Sequence, residues 1–285
     1  MLHFTGGLGE CPGLDAEAIH VCAWMTMFKP LAVPASTVQP RTSFTDVMGS
    51  EPPASGTVLK SVSPNVAEAL GYTPLDFLFV DRQHGSPVTE QLEHLVRVAD
   101  LAGLPTIVRV PREDTSLITG FLDFGVSGIV LPQIEARAPV REASSHMRYR
   151  DGRSLGSFTR AARFGEVPKE TYAEHVNERL ALLPMIETAA GMEAVEEIAA
   201  MPETTAITIG PGDLAWSLGV EFGGPEHHAA ITEIFERSAE QDCPVGLFVP
   251  STAEFERNRG RAAFLIYSSD VSILMKHFSE QFGGE

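Results

Sequence analysis

Residues 77–85 have the sequence FLFVDRQHG, in which four apolar residues run directly into a charged and polar cluster. A short apolar run of this kind is typical of a strand that is buried on both faces. Similar runs recur along the chain, separated by longer stretches with the spacing of amphipathic helices. This alternation predicts an α/β protein, and eight strands favour a (β/α)8 TIM barrel over an open sheet. The predicted strands are Thr57–Val62, Phe77–Asp81, Thr106–Val110, Gly128–Pro132, Leu180–Ile186, Ala206–Ile209, Val245–Val249 and Ala263–Tyr267.

The longest interval between two predicted strands covers residues 133–179. Because an excess of this size on a barrel usually serves function, we expect it to form an active-site loop. The clearest amphipathic segments predict five helices on the outside of the barrel. These are Val88–Leu101, Ser116–Asp123, Gly191–Met201, Glu226–Asp242 and Val271–Phe282.

Residues 1–42 differ from the rest of the chain, because they are rich in glycine and proline and show no periodicity. We interpret them as an irregular N-terminal extension, either a tail or a contact arm in an oligomer, and assign the barrel domain to residues 43–285. The apolar stretch around Val21–Phe28 follows acidic residues and has no basic segment before it. It is therefore a poor match to a secretory signal.

The net charge of −17 argues against nucleic acid and anionic membranes as partners, since both need a basic surface. No apolar run approaches the roughly 20 residues that a membrane-spanning helix needs. The three cysteines have no metal-ligand spacing and are too few for a disulfide framework, which favours a reduced, cytoplasmic protein. The glycine-rich signatures of dinucleotide-binding and P-loop proteins are also missing from the sequence.

Four polar side chains follow or end different predicted strands: His84, Arg109, Glu187 and Asp213. In a TIM barrel the carboxyl ends of the strands share one face, where active sites are built. Each residue has an ordinary alternative. His84 could be a surface or capping residue, and both carboxylates could favour the first turn of a following helix. The coincidence of four such residues at matching positions favours an active site.

Glu187 and Asp213, with no cysteine or histidine beside them, form an oxygen-ligand set that suits Mg²⁺ or Mn²⁺. Such an ion can chelate a 2-oxo acid and acidify the adjacent carbon, so that an enolate becomes accessible. Arg109 could stabilise the developing oxyanion, and His84 could move protons. Only four of the 21 basic residues are lysines, and we expect none at the carboxyl end of a strand, which argues against a Schiff-base mechanism.

Six blocks of sequence carry a resemblance to the HpcH/HpaI aldolase family of class II pyruvate aldolases. They are FLFVDRQHG, PTIVRVP, LDFGVSGIVLPQI, GRSLGSFTRAAR, PMIETAAGM and ITIGPGDLAWSLG. The resemblance extends from about residue 43 to residue 282. It implies a divalent-metal-dependent aldolase, with Mg²⁺, Mn²⁺ or Co²⁺ as cofactor. Such an enzyme cleaves or forms a 4-hydroxy-2-oxo acid through a metal-stabilised enolate, giving pyruvate and an aldehyde.

The resemblance also assigns roles to individual residues. It implies Glu187 and Asp213 as metal ligands, His84 as the catalytic acid or base, and Arg109 as the contact to the substrate oxyanion. Asp123 matches the acidic partner of the histidine, where a carboxylate would orient the imidazole.

Substrate binding and assembly are implied in the same way. The backbone N–H groups around Gly212 and Asp213 would receive the pyruvate carboxylate, as a helix N-terminus receives an anion. Ser157, in the long interval, would line the pocket nearest the substrate. The family also suggests a homo-oligomer, commonly a hexamer built from dimers that exchange their C-terminal helices. Val271–Phe282 is apolar enough to pack on a neighbour, or it could close its own barrel.

Three departures from the family pattern concern the pocket. Gln83 stands where the family has glutamate, Met185 stands where it has glutamine, and the GSFTRAAR loop is one residue shorter. We expect the metal chemistry to survive these changes and the identity of the aldehyde to be affected. Two alternatives stay open at this point. One is an oxaloacetate decarboxylase or a specialised carbon–carbon bond-forming enzyme similar to macrophomate synthase, and the other is an inactive binding barrel.

Overall fold

The computed structural model describes residues 41–85 and 87–283, apart from the side chain of His175. The predicted N-terminal extension over residues 1–42 therefore lies almost entirely outside the described residues. Among the helices of the described ranges, none is both long and apolar enough to cross a membrane.

Eight parallel strands form a closed barrel in chain order, and the last strand pairs back to the first. This confirms the predicted (β/α)8 architecture. Both ends of the second and seventh predicted strands are correct, and the first strand begins three residues earlier than predicted. The strands are β1 Ala54–Leu59, β2 Phe77–Asp81, β3 Thr106–Arg109, β4 Gly128–Leu131, β5 Ala181–Ile186, β6 Ile207–Ile209, β7 Val245–Val249 and β8 Phe264–Ser269.

Helices surround the barrel and return the chain from the end of each strand to the start of the next. Four of the five predicted helices are present with small shifts at their ends, and the fifth, Gly191–Met201, is two short helices. The helices that the sequence did not reveal are short or rich in polar residues, which makes them harder to recognise from apolar residues alone. The helices are α1 Phe44–Val47, α2 Pro64–Gly71, α3 Thr89–Leu101, α4 Leu117–Phe124, α5 Arg137–Met147, α6 Lys169–Arg179, α7 Ala189–Glu193, α8 Val195–Ala199, α9 Pro211–Leu218, α10 Pro225–Ala239, α11 Thr252–Asn258 and α12 Asp270–Phe282.

Three aromatic rings close the barrel at the end where the strands begin. Phe44 of α1 packs edge-on against Phe77 and Phe264, with ring centroids 5.0 and 5.1 Å apart. These rings need room inside the barrel, and glycines on neighbouring strands provide it. A Cβ atom on Gly56 would lie 2.3 Å from the Phe77 ring, and one on Gly246 would lie 2.1 Å from the Phe264 ring. The interior is therefore solid at this end, and a cavity can open only at the other.

Most of the long interval between β4 and β5 lies at this same closed end, so within one chain it does not reach the cavity as the expected active-site loop. Arg160 donates to the Phe124 carbonyl at 2.7 Å, and the Ala161 amide donates to the Asp123 carbonyl at 3.1 Å, just before β4 begins. The physical reason is that α5 carries the chain back from the mouth before the excess residues start. Much of the interval is itself helical, in α5 and α6.

We predict that Gly246→Ala destabilises the barrel by about 1–3 kcal/mol, because the added methyl group overlaps the fully buried Phe264 ring. Chemical denaturation measures the free energy of unfolding. Gly260→Ala is the matched control, since a Cβ atom there meets nothing within 4 Å. Equal stability of the two variants would contradict this account of the closed end.

Candidate active site

A cavity opens at the end of the barrel where the strands finish, and its volume is about 400 Å³. This volume falls in the range of small-molecule sites. Polar side chains enter the cavity from five strand ends. Lys60 follows β1, Asp81 and Arg109 end β2 and β3, Glu187 follows β5, and Asp213 lies just beyond β6. The structure thus brings together three of the side chains that the sequence predicted for the site.

Glu187 is directed into the cavity although only 1 % of it is exposed. Thr188 caps α7 by accepting a hydrogen bond from the Gly191 amide at 3.0 Å, so Glu187 is not needed as the cap. Its Oε1 accepts a hydrogen bond from the Gln133 amide at 2.8 Å, whereas its buried Oε2 accepts none from the residues that the structure describes. A Cβ atom on Gly210 would lie 2.6 Å from Oε2, so glycine keeps the space beside this oxygen open.

The electrostatic surroundings of Glu187 disfavour its charge when no cation is bound. Burial raises the pKa of Glu187 to about 7, and the neighbouring Asp213 carboxylate adds to this effect. The Arg109 guanidinium and the Gln133 amide oppose it without cancelling it. A further positive charge beside Glu187 and Asp213, in addition to Arg109, would lower the pKa of Glu187 and favour its charged form.

Asp213 lies in the first turn of α9, where two backbone amides face outward from the helix start. Pro211 has no N–H group, and the first intrahelical hydrogen bond runs from the Leu214 amide to the Gly210 carbonyl at 3.1 Å. The amides of Gly212 and Asp213 precede that bond and so can donate to a ligand. Asp213 is also the acidic residue of the first turn, where its charge suits the helix dipole, and its side chain lines the cavity at the same time.

These features fit a divalent cation. Glu187 supplies a buried oxygen without a partner, Asp213 supplies a second carboxylate, and Gly210 leaves the space between them and the cavity clear. In the described part of the chain, no group of three or more His, Cys, Asp or Glu residues could hold a metal ion. Two carboxylates with water or substrate completing the shell match the preferences of Mg²⁺ and Mn²⁺ rather than those of structural zinc.

Arg109 is held in place by Asp81 on the neighbouring strand. Its Nε lies 3.1 Å from Asp81 Oδ1 and its Nη2 lies 2.7 Å from Oδ2, a two-point contact that sets the plane of the guanidinium. Its Nη1 lies 3.8 Å from the sulfur of Met185. The sequence analysis missed Asp81. The sequence shows that a carboxylate ends a buried strand and so needs a partner, but the register that sets Asp81 beside Arg109 is a property of the folded barrel.

A second cation shares the same carboxylate. Lys60 Nζ lies 2.7 Å from Asp81 Oδ2, and the amides of Gln83 and His84 donate to Oδ1. Burial alone would raise the pKa of Asp81, but Arg109 and Lys60 hold that pKa well below its usual range. The expectation that no lysine stands at the carboxyl end of a strand was wrong. Because β1 ends at Leu59, Lys60 falls at that end.

His84 follows β2 and contacts two residues of the cavity, but it is not among the described residues that line it. Its ring is exposed to solvent, while its backbone is fixed by the hydrogen bond to Asp81 and by a 3.4 Å contact from Lys60 Nζ to its carbonyl. An exposed ring on a fixed backbone can reach a substrate that enters the mouth. Its role as the acid or base stays a prediction.

Asp123 and Ser157 are not brought to this cavity within one chain. Asp123 lies in the last turn of α4, near the start of β4, and pairs with the buried Arg153 at 2.6 Å. Ser157 lies in the segment that packs against the same end of the barrel. The predicted contact between Asp123 and His84 is therefore not made inside a single chain, because α4 ends at the closed end of the barrel and His84 lies at the other end.

We predict that Asp81→Asn lowers the free energy of unfolding by about 3 kcal/mol at pH 7, since it leaves two cations without their buried anion. A lowered folded-state pKa stabilises the fold above the unfolded pKa of about 4, and that contribution disappears as the pH falls below it. The difference between wild type and variant should therefore narrow below pH 4. Thermal and chemical unfolding against pH measure it, with exposed Asp151→Asn as the control.

Comparison with known proteins agrees with this geometry. The family model of HpcH/HpaI aldolase/citrate lyase matches residues 55–267. The 2-dehydro-3,6-dideoxy-6-sulfogluconate aldolase of Pseudomonas putida is 32 % identical over 232 residues, which cover 79 % of this chain and 89 % of that protein. The hydroxypyruvate/pyruvate aldolase of Paraburkholderia phytofirmans is 29 % identical over 236 residues, which cover 79 % and 90 %.

A solved structure shows the same architecture. An HpcH/HpaI aldolase/citrate lyase family protein from Burkholderia cenocepacia superposes with a TM-score of 0.77 at 28 % identity, covering 84 % of this chain and 96 % of that one. The match of residues 55–267 spans the whole barrel from β1 to β8, including every side chain that lines the cavity from strands β1 to β6. The chain belongs to the HpcH/HpaI aldolase/citrate lyase family and is a carbon–carbon lyase of the aldolase type.

Proposed function

We propose that this enzyme is a divalent-metal-dependent aldolase that cleaves a 4-hydroxy-2-oxo acid to pyruvate and an aldehyde, or forms it from them. The observation that carries the proposal is the buried Oε2 of Glu187. It accepts no hydrogen bond from the described part of the chain, and it lies in one cavity with Asp213 and Arg109. The named aldolase relatives support the reaction class, and the name of the hydroxypyruvate/pyruvate aldolase supports pyruvate as the donor.

Glu187 and Asp213 would hold the metal, with Mg²⁺, Mn²⁺ or Co²⁺ as candidates. A bound divalent ion supplies Lewis-acid polarisation of the 2-oxo group. The amides of Gly212 and Asp213 would bind the carboxylate of the 2-oxo acid at the start of α9. This arrangement leaves the 2-oxo group facing the Arg109 guanidinium.

Arg109 stabilises the oxyanion that develops when the bond next to the 2-oxo group breaks, and Asp81 keeps the guanidinium in position for that task. In cleavage, the 4-hydroxyl group loses its proton, the C3–C4 bond breaks, and the electron pair passes to the pyruvate enolate. Addition of one proton to the enolate carbon then yields pyruvate. His84 is the group we assign to the proton on the 4-hydroxyl oxygen.

We also propose that the enzyme is a homo-oligomer. The C-terminal helix α12 exposes large apolar side chains along its length, so a single chain leaves this surface uncovered. Asp123 and Ser157 lie at the closed end of their own barrel, and they can serve a cavity only when a second copy brings them to it. The exposed apolar residues of α12 are Val271, Ile273, Leu274, Met275, Phe278 and Phe282.

Deuterium exchange at the pyruvate methyl group tests the enolate step without knowledge of the aldehyde. We predict that the protein exchanges this methyl group in D₂O with Mg²⁺, Mn²⁺ or Co²⁺, as followed by proton NMR. Glu187→Ala and Asp213→Ala should abolish the metal-dependent rate, and His84→Ala should leave metal binding largely intact. Full exchange by Glu187→Ala would contradict the metal assignment, and wild type that binds metal without exchange would contradict the proposed function.

The raised pKa of Glu187 predicts a stability effect in metal-free protein. The folded chain keeps a proton up to about pH 7, whereas the unfolded chain releases it near 4.5, so wild type loses stability as the pH rises between these values. In EDTA, Glu187→Gln should therefore be more stable than wild type by roughly 3 kcal/mol at pH 8 and nearly equal to it at pH 4.

Thermal unfolding against pH in EDTA measures this difference in stability, and thermal unfolding with added Mn²⁺ measures stabilisation by the metal. Added metal should stabilise wild type and leave Glu187→Gln unchanged, because the amide cannot replace the carboxylate ligand. The control is Glu197→Gln, which removes an exposed carboxylate on α8. A Glu187→Gln variant less stable than wild type at pH 8 in EDTA would show that the charge of Glu187 is not penalised in the fold.

A further inference from the structure

Lys60 contributes to the cavity a positive charge that shares its carboxylate partner, Asp81, with Arg109. Its side chain is 33 % exposed, and its ammonium lies 2.7 Å from Asp81 Oδ2. Arg109 contacts the same carboxylate, so two cations share one anion on this side of the cavity. The remaining carboxylates of the cavity, Glu187 and Asp213, are the residues assigned to the metal.

Hydroxyl groups from the end of β8 and the start of α12 line the cavity together with Lys60: Ser268, Ser269 and Ser272. They are neighbours of Lys60 because β8 pairs with β1, with Val58 in register with Ser269. The Ser269 hydroxyl caps α12 by accepting a hydrogen bond from the Ser272 amide at 3.1 Å.

Lys60, Ser268, Ser269 and Ser272 form one corner of the cavity, and the hydrogen-bonding capacity that remains in this corner is open to a ligand. No hydrogen bond to the Ser268 hydroxyl is present in the described part of the chain, and the Ser272 hydroxyl contacts only that of Ser269, at 2.8 Å.

One carboxylate lies nearby and could oppose an anion. Asp270 begins α12, but its two oxygens accept hydrogen bonds from the backbone amides of Lys60, Ser61 and Val271 at 2.8 to 2.9 Å. Three neutral donors therefore stabilise the charged carboxylate and hold it toward the backbone of β1 rather than toward a ligand. The Lys60 ammonium is the cation of this corner.

The position of this corner in the barrel indicates which half of the substrate it would face. In a closed barrel of eight strands in chain order, β1 lies across from β5. Lys60 is therefore on the opposite side of the mouth from Glu187. A 2-oxo acid held by Glu187 and Asp213 directs its far end across the mouth toward Lys60.

We propose that Lys60, with the hydroxyls of Ser268 and Ser272, binds an oxyanion on the aldehyde half of the substrate and makes the enzyme select aldehydes that carry a carboxylate, sulfonate or phosphate. The inference rests on the proposed function, because the 2-oxo acid end defines which half faces Lys60. It makes Lys60 a specificity-determining residue and assigns it no covalent role.

The test uses the addition direction with pyruvate, Mn²⁺ and two aldehydes of the same chain, succinic semialdehyde and its methyl ester. The readout is the ratio of kcat/KM for the charged aldehyde to that for the ester, in which any general loss of activity cancels. We expect wild type to favour the charged aldehyde about 10-fold or more, the effect of one hydrogen bond to a charged group. Lys60→Met should reduce the ratio by about the same factor.

Lys60→Arg should keep most of the preference because it retains the charge. Lys276→Met, which removes an exposed lysine from α12, is the matched control and should leave the ratio unchanged. A wild-type ratio near one overturns the inference whether or not the Lys60 variants fold. An unchanged ratio in folded Lys60→Met does the same. If wild type exchanges the pyruvate methyl group but uses both aldehydes equally well, only the role of Lys60 is overturned. If wild type does not exchange the methyl group, the proposed function is overturned as well.

Discussion

The Asp81 carboxylate is the contact on which the candidate site depends. It is fully buried at the end of β2, and it joins the strand before it and the strand after it through Lys60 and Arg109. A buried carboxylate is stable in its charged form only when cations and amides surround it, and here two cations and two backbone amides do so. The same contacts fix the guanidinium plane of Arg109 and the backbone of His84. Removing this one charge would therefore loosen several groups of the site together.

A second constraint is the solid packing at the other end of the barrel. Phe44, Phe77 and Phe264 fill the interior where the strands begin, and Gly56 and Gly246 give the rings their room. With that end filled, the cavity is restricted to the mouth, where the strands present their polar ends. The barrel thus separates stability from chemistry along its axis, with apolar packing at one end and buried charge at the other.

Much of the site could be predicted from the sequence, because a short apolar run that ends in charged residues is typical of a buried strand whose last side chains reach one face of a barrel. Arg109, Glu187 and Asp213 were found by this reasoning, and the structure brings them into one cavity. Lys60 was missed because the predicted first strand ran past it to residue 62, whereas β1 ends at Leu59. Asp81 was missed because a carboxylate beside a strand end gives no hint, by itself, of the cations that meet it.

The sequence by itself determined the order of strands, the barrel class and the side chains at most strand ends, because hydrophobic period and composition are local properties. The tertiary structure alone decided which end of the barrel each intervening segment faces. Ser157 belongs to a segment that a sequence pattern assigns to the pocket, yet α5 returns the chain to the closed end before that segment begins. It also decided that Lys60 and Arg109 share one anion. Such pairings depend on strand register around a closed barrel, which no single stretch of sequence contains.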